Sequence, residues 1–130
     1  RPLIEYARLL GLCFQIKDDI FDYFDSPEIG KPTGNDLREG KVTLPLLHAL
    51  ATAPAPESDE RVKLLGKKEL EAPDITRLIE SAKAHGGIDY AFAAMRRMQQ
   101  EADVILEQYP DTEARRSFRD IFEYIISRNK

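Results

Sequence analysis

The chain has 130 residues, of which 42% are hydrophobic and 32% are charged, and its net charge at pH 7 is −4. This composition suits one folded region with an apolar core, excludes a disordered chain, and argues against nucleic acid as a partner. No apolar run reaches the ~18 residues of a transmembrane segment, and the single cysteine, Cys13, cannot form an internal disulfide and indicates the cytoplasm.

The first predicted element is a long helix from Leu3 to about Phe24. Apolar residues cover most of its circumference, which is typical of a buried helix. Ser26, Pro27 and Gly30 predict its end, and residues 26–41 are predicted to form a loop. Because the chain opens on this helix-like run without a methionine, we expect it to be part of a longer polypeptide.

Five further helices are predicted downstream. Thr43 is the expected N-cap of a helix that runs to about Thr52. A linker at 53–60 and a short helix over Asp59–Leu65 are predicted next. The following helix is capped by Asp74 and ended by Gly86-Gly87. Two helices complete the chain, one with an apolar stripe over Ile88–Tyr109 and a final amphipathic one over Ala114–Ile125. No strand pattern is convincing. The predicted fold is an all-α helical bundle in a single region over 1–130.

The end of the first helix concentrates acidic side chains. Gln15, Asp18, Asp19 and Asp22 recur at three- and four-residue intervals, which places them on one face of a helix. Like charges at this spacing oppose a helix by roughly 0.2–0.5 kcal/mol per pair, and the helix dipole disfavours anions at a C-terminus. Such conflicts with local rules are typical of functional sites. Carboxylates are natural Mg²⁺ ligands, so this turn predicts a Mg²⁺ site.

Lysines follow in a glycine-punctuated stretch. Lys31 and Lys41 are placed to supply positive charge to the phosphates that Mg²⁺ commonly bridges. A calcium-binding helix-loop-helix is rejected because Ile20 and Tyr23 fall where its third and sixth residues belong. The order of a phosphate-binding loop and a cysteine–histidine zinc cluster are also absent from the sequence, and His48 and His85 are predicted to be structural or surface residues.

Two stretches carry a family resemblance, "FQIKDDIFDY" and "GKPTGNDLREGKVTLPLLHAL". The first resembles the second aspartate-rich motif of the trans-isoprenyl diphosphate synthases, the polyprenyl synthetase family, and the second resembles the segment that follows it there. The resemblance implies the C-terminal portion of an isoprenoid synthase fold. It also implies Mg²⁺-dependent condensation of isopentenyl diphosphate with an allylic diphosphate, giving a polyprenyl diphosphate.

The resemblance also implies roles for single residues. Asp18 would bind Mg²⁺ directly, and Asp19 and Asp22 would hold metal-bound water or complete the metal shell. On the substrate side, Gln15 would contact the allyl group and Lys31 would contact the diphosphate. Asp36 would orient Lys31 or water around the metal, and Lys41 would add positive charge. For Lys41 a structural role in the loop is an equal alternative.

Other functions stay open at this point. The family's first aspartate-rich motif is not among these 130 residues, so we expect the segment by itself to be inactive. A non-catalytic helical partner or regulatory subunit of the same fold is the alternative to an enzyme. A terpene cyclase is rejected because "NDLREGKVT" lacks the later residues of its metal motif. The apolar first helix further predicts self-association or a homodimer.

Overall fold

The computed structural model describes residues 1–24 and 34–128, and these residues form helices with no strand among them. The predicted all-α class is therefore confirmed. In chain order the helices are α1 (Pro2–Phe21), α2 (Asn35–Arg38), α3 (Leu44–Thr52), α4 (Ala55–Leu65), α5 (Ala72–Ala84), α6 (Gly87–Leu106) and α7 (Glu113–Ser127). None of the described helices is long and apolar enough to cross a membrane.

The described residues divide into two compact units. Among the described residues, the first unit comprises Arg1–Asp18 and residues 92–128, and the second comprises residues between Asp19 and Ala91. The boundaries fall inside α1 and inside α6, so each of these helices contributes to both units. The expectation that residues 1–130 form a single region stays a prediction.

The first unit is built around the buried side of α1. Tyr6 packs edge-to-face against Phe118 and Phe122, each with a ring-centroid distance of 5.8 Å, and its hydroxyl donates to the Phe118 carbonyl at 2.6 Å. Leu9 and Cys13 lie behind it, fully buried. Cys13 is therefore a free cysteine within the buried core of this unit.

The other side of α1 differs from the prediction. Large apolar side chains are exposed there, among them Leu3, Ile4, Leu12 and Phe14, the last with 48% of its surface accessible. The prediction of a helix buried all round was therefore wrong for this chain. The reason is that the packing partners of α1 in the first unit cover only one of its faces.

The second unit packs α3 and α4 against α5. Its core joins Leu46 and Ala49 of α3 to Leu78 and Ala82 of α5, all of them fully buried. His85 contacts Glu57, and His48 stacks on Tyr90 with ring centroids 4.1 Å apart. Both histidines thus make structural contacts, as the sequence predicted.

Helix ends differ from the prediction around the acidic turn. The α1 helix ends at Phe21 rather than about Phe24, because the N–H groups of Asp22 and Tyr23 bond back three residues instead of four, to Asp19 and Ile20. The predicted loop at 26–41 contains the short helix α2, so that part of the prediction was wrong.

Two other helix starts were also mispredicted. The linker proposed for 53–60 is largely the first turns of α4, which begins at Ala55 and tolerates Pro56 in its first turn. The N-cap of α5 is Glu71 rather than Asp74. Asp74 lies three residues inside, and the two side chains cap each other's backbone N–H.

Candidate active site

The last turns of α1 carry three of the predicted site residues. Asp18 and Asp19 are half-buried, and Gln15, one turn earlier, is exposed. The last turn of α1 has no basic side chain, so nothing in that turn offsets the two acids against the helix dipole. Two adjacent carboxylates therefore stand at an electrostatically unfavourable helix end.

Lys17 precedes these acids in the sequence, but its ammonium group contacts residues of α6 and α7 in the first unit. Its Nζ donates to the Ile126 carbonyl at 2.7 Å and lies 4.6 Å from the centroid of the Phe92 ring. Burial lowers the pKa of Lys17, and the nearby Arg128 and Arg96 lower it further. Lys17 thus binds an end carbonyl of α7, where the helix dipole favours a cation.

Asp22 lies just past the end of α1 and holds the start of α2. Its Oδ1 accepts the backbone N–H of Asn35 at 2.9 Å, and its Oδ2 accepts that of Asp36 at 3.0 Å. Its main-chain oxygen also accepts the N–H of Gly34 at 2.8 Å. Three consecutive N–H groups, which the start of a helix otherwise leaves unpaired, are therefore bound by one residue.

Asp36 and Lys41 are brought together through the backbone. Asp36 lies in the first turn of α2, half-buried, and its carbonyl accepts the N–H of Lys41 at 2.8 Å. The Lys41 side chain is exposed, and its Nζ lies 3.3 Å from Glu39 Oε2. Lys31, the other predicted diphosphate ligand, falls outside the described residues.

Sequence reasoning missed a second contact between the end of α1 and this stretch. The Tyr23 hydroxyl and Thr43 Oγ1 are 2.8 Å apart, and Tyr23 is only 2% exposed. Thr43 does occupy the predicted N-cap position of α3, but its side chain makes no cap hydrogen bond. In the sequence, only the hydroxyl of Tyr23 could have signalled that this residue needs a hydrogen-bond partner when it is buried.

The carboxylates were tested against the needs of Mg²⁺. Within residues 1–24 and 34–128, no three His, Cys, Asp or Glu side chains are grouped so that they could hold a metal ion. Mg²⁺ commonly takes only one or two carboxylates, with water and substrate phosphates as its other ligands. Asp18 and Asp19 fit that requirement, whereas each oxygen of Asp22 already accepts a backbone N–H. The metal roles of all three acids stay predictions.

Comparison with known proteins identifies the family. The family model described as polyprenyl synthetase matches residues 1–82. This chain belongs to the polyprenyl synthetase family. Among its relatives is a short chain isoprenyl diphosphate synthase from Methanocaldococcus jannaschii, which is 41% identical over 90 residues, covering 68% of this chain and 27% of the relative.

Solved structures of the family superimpose closely on the chain. A geranylgeranyl pyrophosphate synthase from Bacteroides thetaiotaomicron matches with a TM-score of 0.86 and 38% identity over 96% of this chain and 40% of that one. A polyprenyl synthase from Caulobacter crescentus, complexed with calcium and isoprenyl diphosphate, matches with a TM-score of 0.88 and 32% identity over 99% of this chain and 40% of that one. The chain therefore has the helical fold of the isoprenyl diphosphate synthases and spans at most 40% of the length of these three proteins.

Proposed function

We propose that this chain forms part of a prenyltransferase that joins isopentenyl diphosphate head to tail to an allylic diphosphate, giving a polyprenyl diphosphate. The observation that carries the proposal is the acidic end of α1 followed by the stretch that holds Asp36 and Lys41. Membership of the polyprenyl synthetase family supports the same chemistry.

We propose Mg²⁺ as the cofactor, held by Asp18 and Asp19. Bound Mg²⁺ would supply positive charge to offset the negative charge that develops on the leaving diphosphate. The two half-buried carboxylates in the last turn of α1 support this assignment. The Caulobacter synthase, which was solved with calcium and isoprenyl diphosphate, is a relative with a divalent cation and a substrate of the proposed class.

In the proposed reaction, the C–O bond between the allyl group and its diphosphate breaks, and diphosphate leaves with the electron pair. The double bond of isopentenyl diphosphate attacks the allylic cation, and loss of a proton gives a product one isoprene unit longer. Gln15 would face the reacting allyl group from its exposed position on α1.

The remaining residues would act on the diphosphate. We propose that Lys31 and Lys41 bind its oxygens, and that Asp36 orients Lys31 or water around the metal. The exposed ion pair of Lys41 with Glu39 is of the kind that contributes little stability. Lys41 can therefore exchange Glu39 for a diphosphate oxygen at small cost.

Replacement of Asp18 tests the proposed activity in the natural protein at its full length. Asp18→Asn removes a charged ligand where charge develops, so turnover should fall roughly a hundredfold to a thousandfold, and the Mg²⁺ concentration for half-maximal rate should rise. Steady-state incorporation of labelled isopentenyl diphosphate into an allylic diphosphate measures both quantities.

Asp120→Asn is the matched control, because Asp120 is an exposed aspartate on α7. It should leave turnover and the Mg²⁺ midpoint at their original values. Turnover of Asp18→Asn equal to that of the control would remove Asp18 from the metal site. Absence of any incorporation by the unaltered protein would favour a non-catalytic partner instead.

We also propose self-association through the exposed face of α1 and a cytoplasmic location. Exposed apolar side chains such as Leu12 and Phe14 support the first, since such surface favours association. The single buried thiol of Cys13 supports the second. Sedimentation of the purified 130-residue chain should give a mass above that of the monomer, and the same sample should not incorporate isopentenyl diphosphate. A stable, active monomer would contradict both expectations.

A further inference from the structure

Residues Gly34–Thr43, the clamped segment, carry two of the proposed site residues, Asp36 and Lys41. The segment contains α2, which has only four residues. A helix of that length does not persist through its own hydrogen bonds, because nucleation is costly and few bonds follow it. Contacts from elsewhere must therefore hold Asp36 and Lys41 in place.

Asp22 supplies these contacts at the N-terminal end of the segment. Its carboxylate and carbonyl together accept the N–H groups of Gly34, Asn35 and Asp36, at distances between 2.8 and 3.0 Å. A carboxylate that accepts backbone N–H groups forms charge-assisted bonds, which are stronger than neutral ones. The backbone of Asp36 is thus fixed directly by the side chain of Asp22.

Tyr23, the next residue, supplies the contact at the C-terminal end. Its hydroxyl pairs with Thr43 Oγ1 at 2.8 Å, and the buried ring lies in the same apolar core as Leu37 of α2. Adjacent residues of one turn therefore hold both ends of the clamped segment. Between the two ends, the N–H of Lys41 donates to the carbonyl of Asp36, so the position of the Lys41 backbone depends on that of Asp36.

Metal binding by Asp22 would compete with this arrangement. Each carboxylate oxygen already accepts a backbone N–H, so a metal ion bound at a remaining lone pair of the same oxygens would lie close to two positive hydrogen-bond donors. Turning the carboxylate toward a metal would leave the N–H groups of Asn35 and Asp36 without their acceptor, and unmade bonds of partly buried groups are costly.

We propose that Asp22 and Tyr23 form a two-point clamp that positions Asp36 and Lys41, and that Asp22 is a positioning residue rather than a metal ligand. The proposal rests on the proposed function, because positioning matters only where Asp36 and Lys41 act on a diphosphate. It assigns the third acid of the motif a role unlike that of Asp18 and Asp19.

The experiment uses Asp22→Asn in the natural protein at its full length. The amide oxygen keeps one N–H acceptor, whereas the amide nitrogen is a donor and cannot accept the second N–H. Hydrogen exchange of the Asn35 or Asp36 amide should therefore accelerate roughly tenfold, as expected when one hydrogen bond is lost. The Mg²⁺ concentration for half-maximal rate should rise far less than it does in Asp18→Asn, because Asp22→Asn removes no metal ligand.

A measurement on the unaltered protein covers the case in which Asp22→Asn fails to fold. The clamp requires the amides of Asn35 and Asp36 to be protected without metal and to remain protected when Mg²⁺ is added. Loss of that protection on adding Mg²⁺ would overturn the proposal, because it would show the carboxylate of Asp22 leaving α2 for the metal.

The other outcomes are equally decisive. A rise of the Mg²⁺ midpoint in Asp22→Asn that matches the rise in Asp18→Asn would make Asp22 a ligand. Unchanged exchange at both amides in Asp22→Asn would show that Asp22 does not hold α2. If Asp18→Asn changes neither turnover nor the Mg²⁺ midpoint, the proposed function fails, and the exchange data still decide whether the clamp exists.

Discussion

The helices α2 and α7 both begin at a side chain that accepts a backbone N–H, but the acceptor comes from very different places. In α7 the acceptor is Thr112 Oγ1, which binds the N–H of Arg115 at 3.2 Å, three residues further along. In α2 the acceptor is Asp22, which lies 13 and 14 residues before the N–H groups that it binds. One helix is capped locally and the other from a distant part of the chain.

This difference decides what each helix depends on. The 15 residues of α7 carry an apolar face in which Phe122 and Ile126 are fully buried, so the packing of this face stabilises the helix. The four residues of α2 bury only Leu37. We therefore expect α2 to be sensitive to changes at the points where it is held, and α7 to tolerate the loss of its cap.

The largest expected effect follows from Gly34, which begins α2 with φ +79°. A Cβ at this position would lie 2.4 Å from the Cγ2 methyl of Ile75, which is buried in the core of the second unit. Gly34→Ala adds left-handed backbone strain to overpacking and should lower the free energy of unfolding by about 3 kcal/mol. Urea unfolding measures the loss.

Gly40→Ala separates the two causes. Gly40 has nearly the same backbone angle, φ +82°, but no atom lies within 4 Å of the position of a Cβ. Gly40→Ala should therefore lower the free energy of unfolding by only ~1 kcal/mol, which is the cost of the left-handed backbone strain. Equal losses at Gly34 and Gly40 would show that the close approach to Ile75 does not hold α2.

The next largest effect concerns Tyr23 and Thr43, which hold the far end of the clamped segment. Tyr23→Phe removes a hydroxyl from a fully buried position and leaves Thr43 Oγ1 without its partner, at a cost of about 1.5 kcal/mol. Thr43→Val should cost a similar amount. Combining the two changes should cost less than the sum, and strict additivity would mean that the hydroxyls do not interact.

The Tyr23 pair also has a defined pH range. Burial raises the pKa of Tyr23 from 10.0 to about 12, while the hydrogen bond to Thr43 opposes this rise. A raised pKa in the folded protein contributes stability that is complete below the unfolded value and is lost as the pH rises toward the folded value. The stability difference between the unaltered protein and Tyr23→Phe should therefore be constant below pH 10 and shrink between pH 10 and 12.

The same contrast explains how far the sequence predicts the fold. Helix α7 and the apolar stripe of α6 were predictable because their signals are periodic and local, as in the spacing of Phe118 and Phe122. Helix α2 was predicted as loop because its acceptor, Asp22, lies beyond any window of local pattern. Glycine at position 34 was interpreted as loop punctuation, whereas the structure shows a close approach to Ile75.

The candidate site divides in the same way. Spacing alone indicated that Asp18, Asp19 and Asp22 belong together, since like charges on one helical turn need a reason. Spacing could not show that the carboxylate of Asp22 binds the backbone of α2, because that contact depends on how the chain returns after residue 33. Likewise, the partner of Tyr23 could be found only in the folded chain.

The smallest expected effect concerns the cap of α7. Thr112→Ala removes the Oγ1 acceptor of the Arg115 N–H at an exposed position, where water can replace it, and should lower the free energy of unfolding by about 0.5–1 kcal/mol. Thr112→Ser keeps a hydroxyl acceptor of at least equal rank at an N-cap and should leave the free energy of unfolding close to that of the unaltered protein. Urea unfolding of both variants beside Gly34→Ala gives the comparison directly. Suppose that Thr112→Ala lowers the free energy of unfolding as much as Gly34→Ala does. The buried packing of Phe122 and Ile126 would then not compensate for a missing cap, and α7 would depend on its N-terminal contact as α2 does.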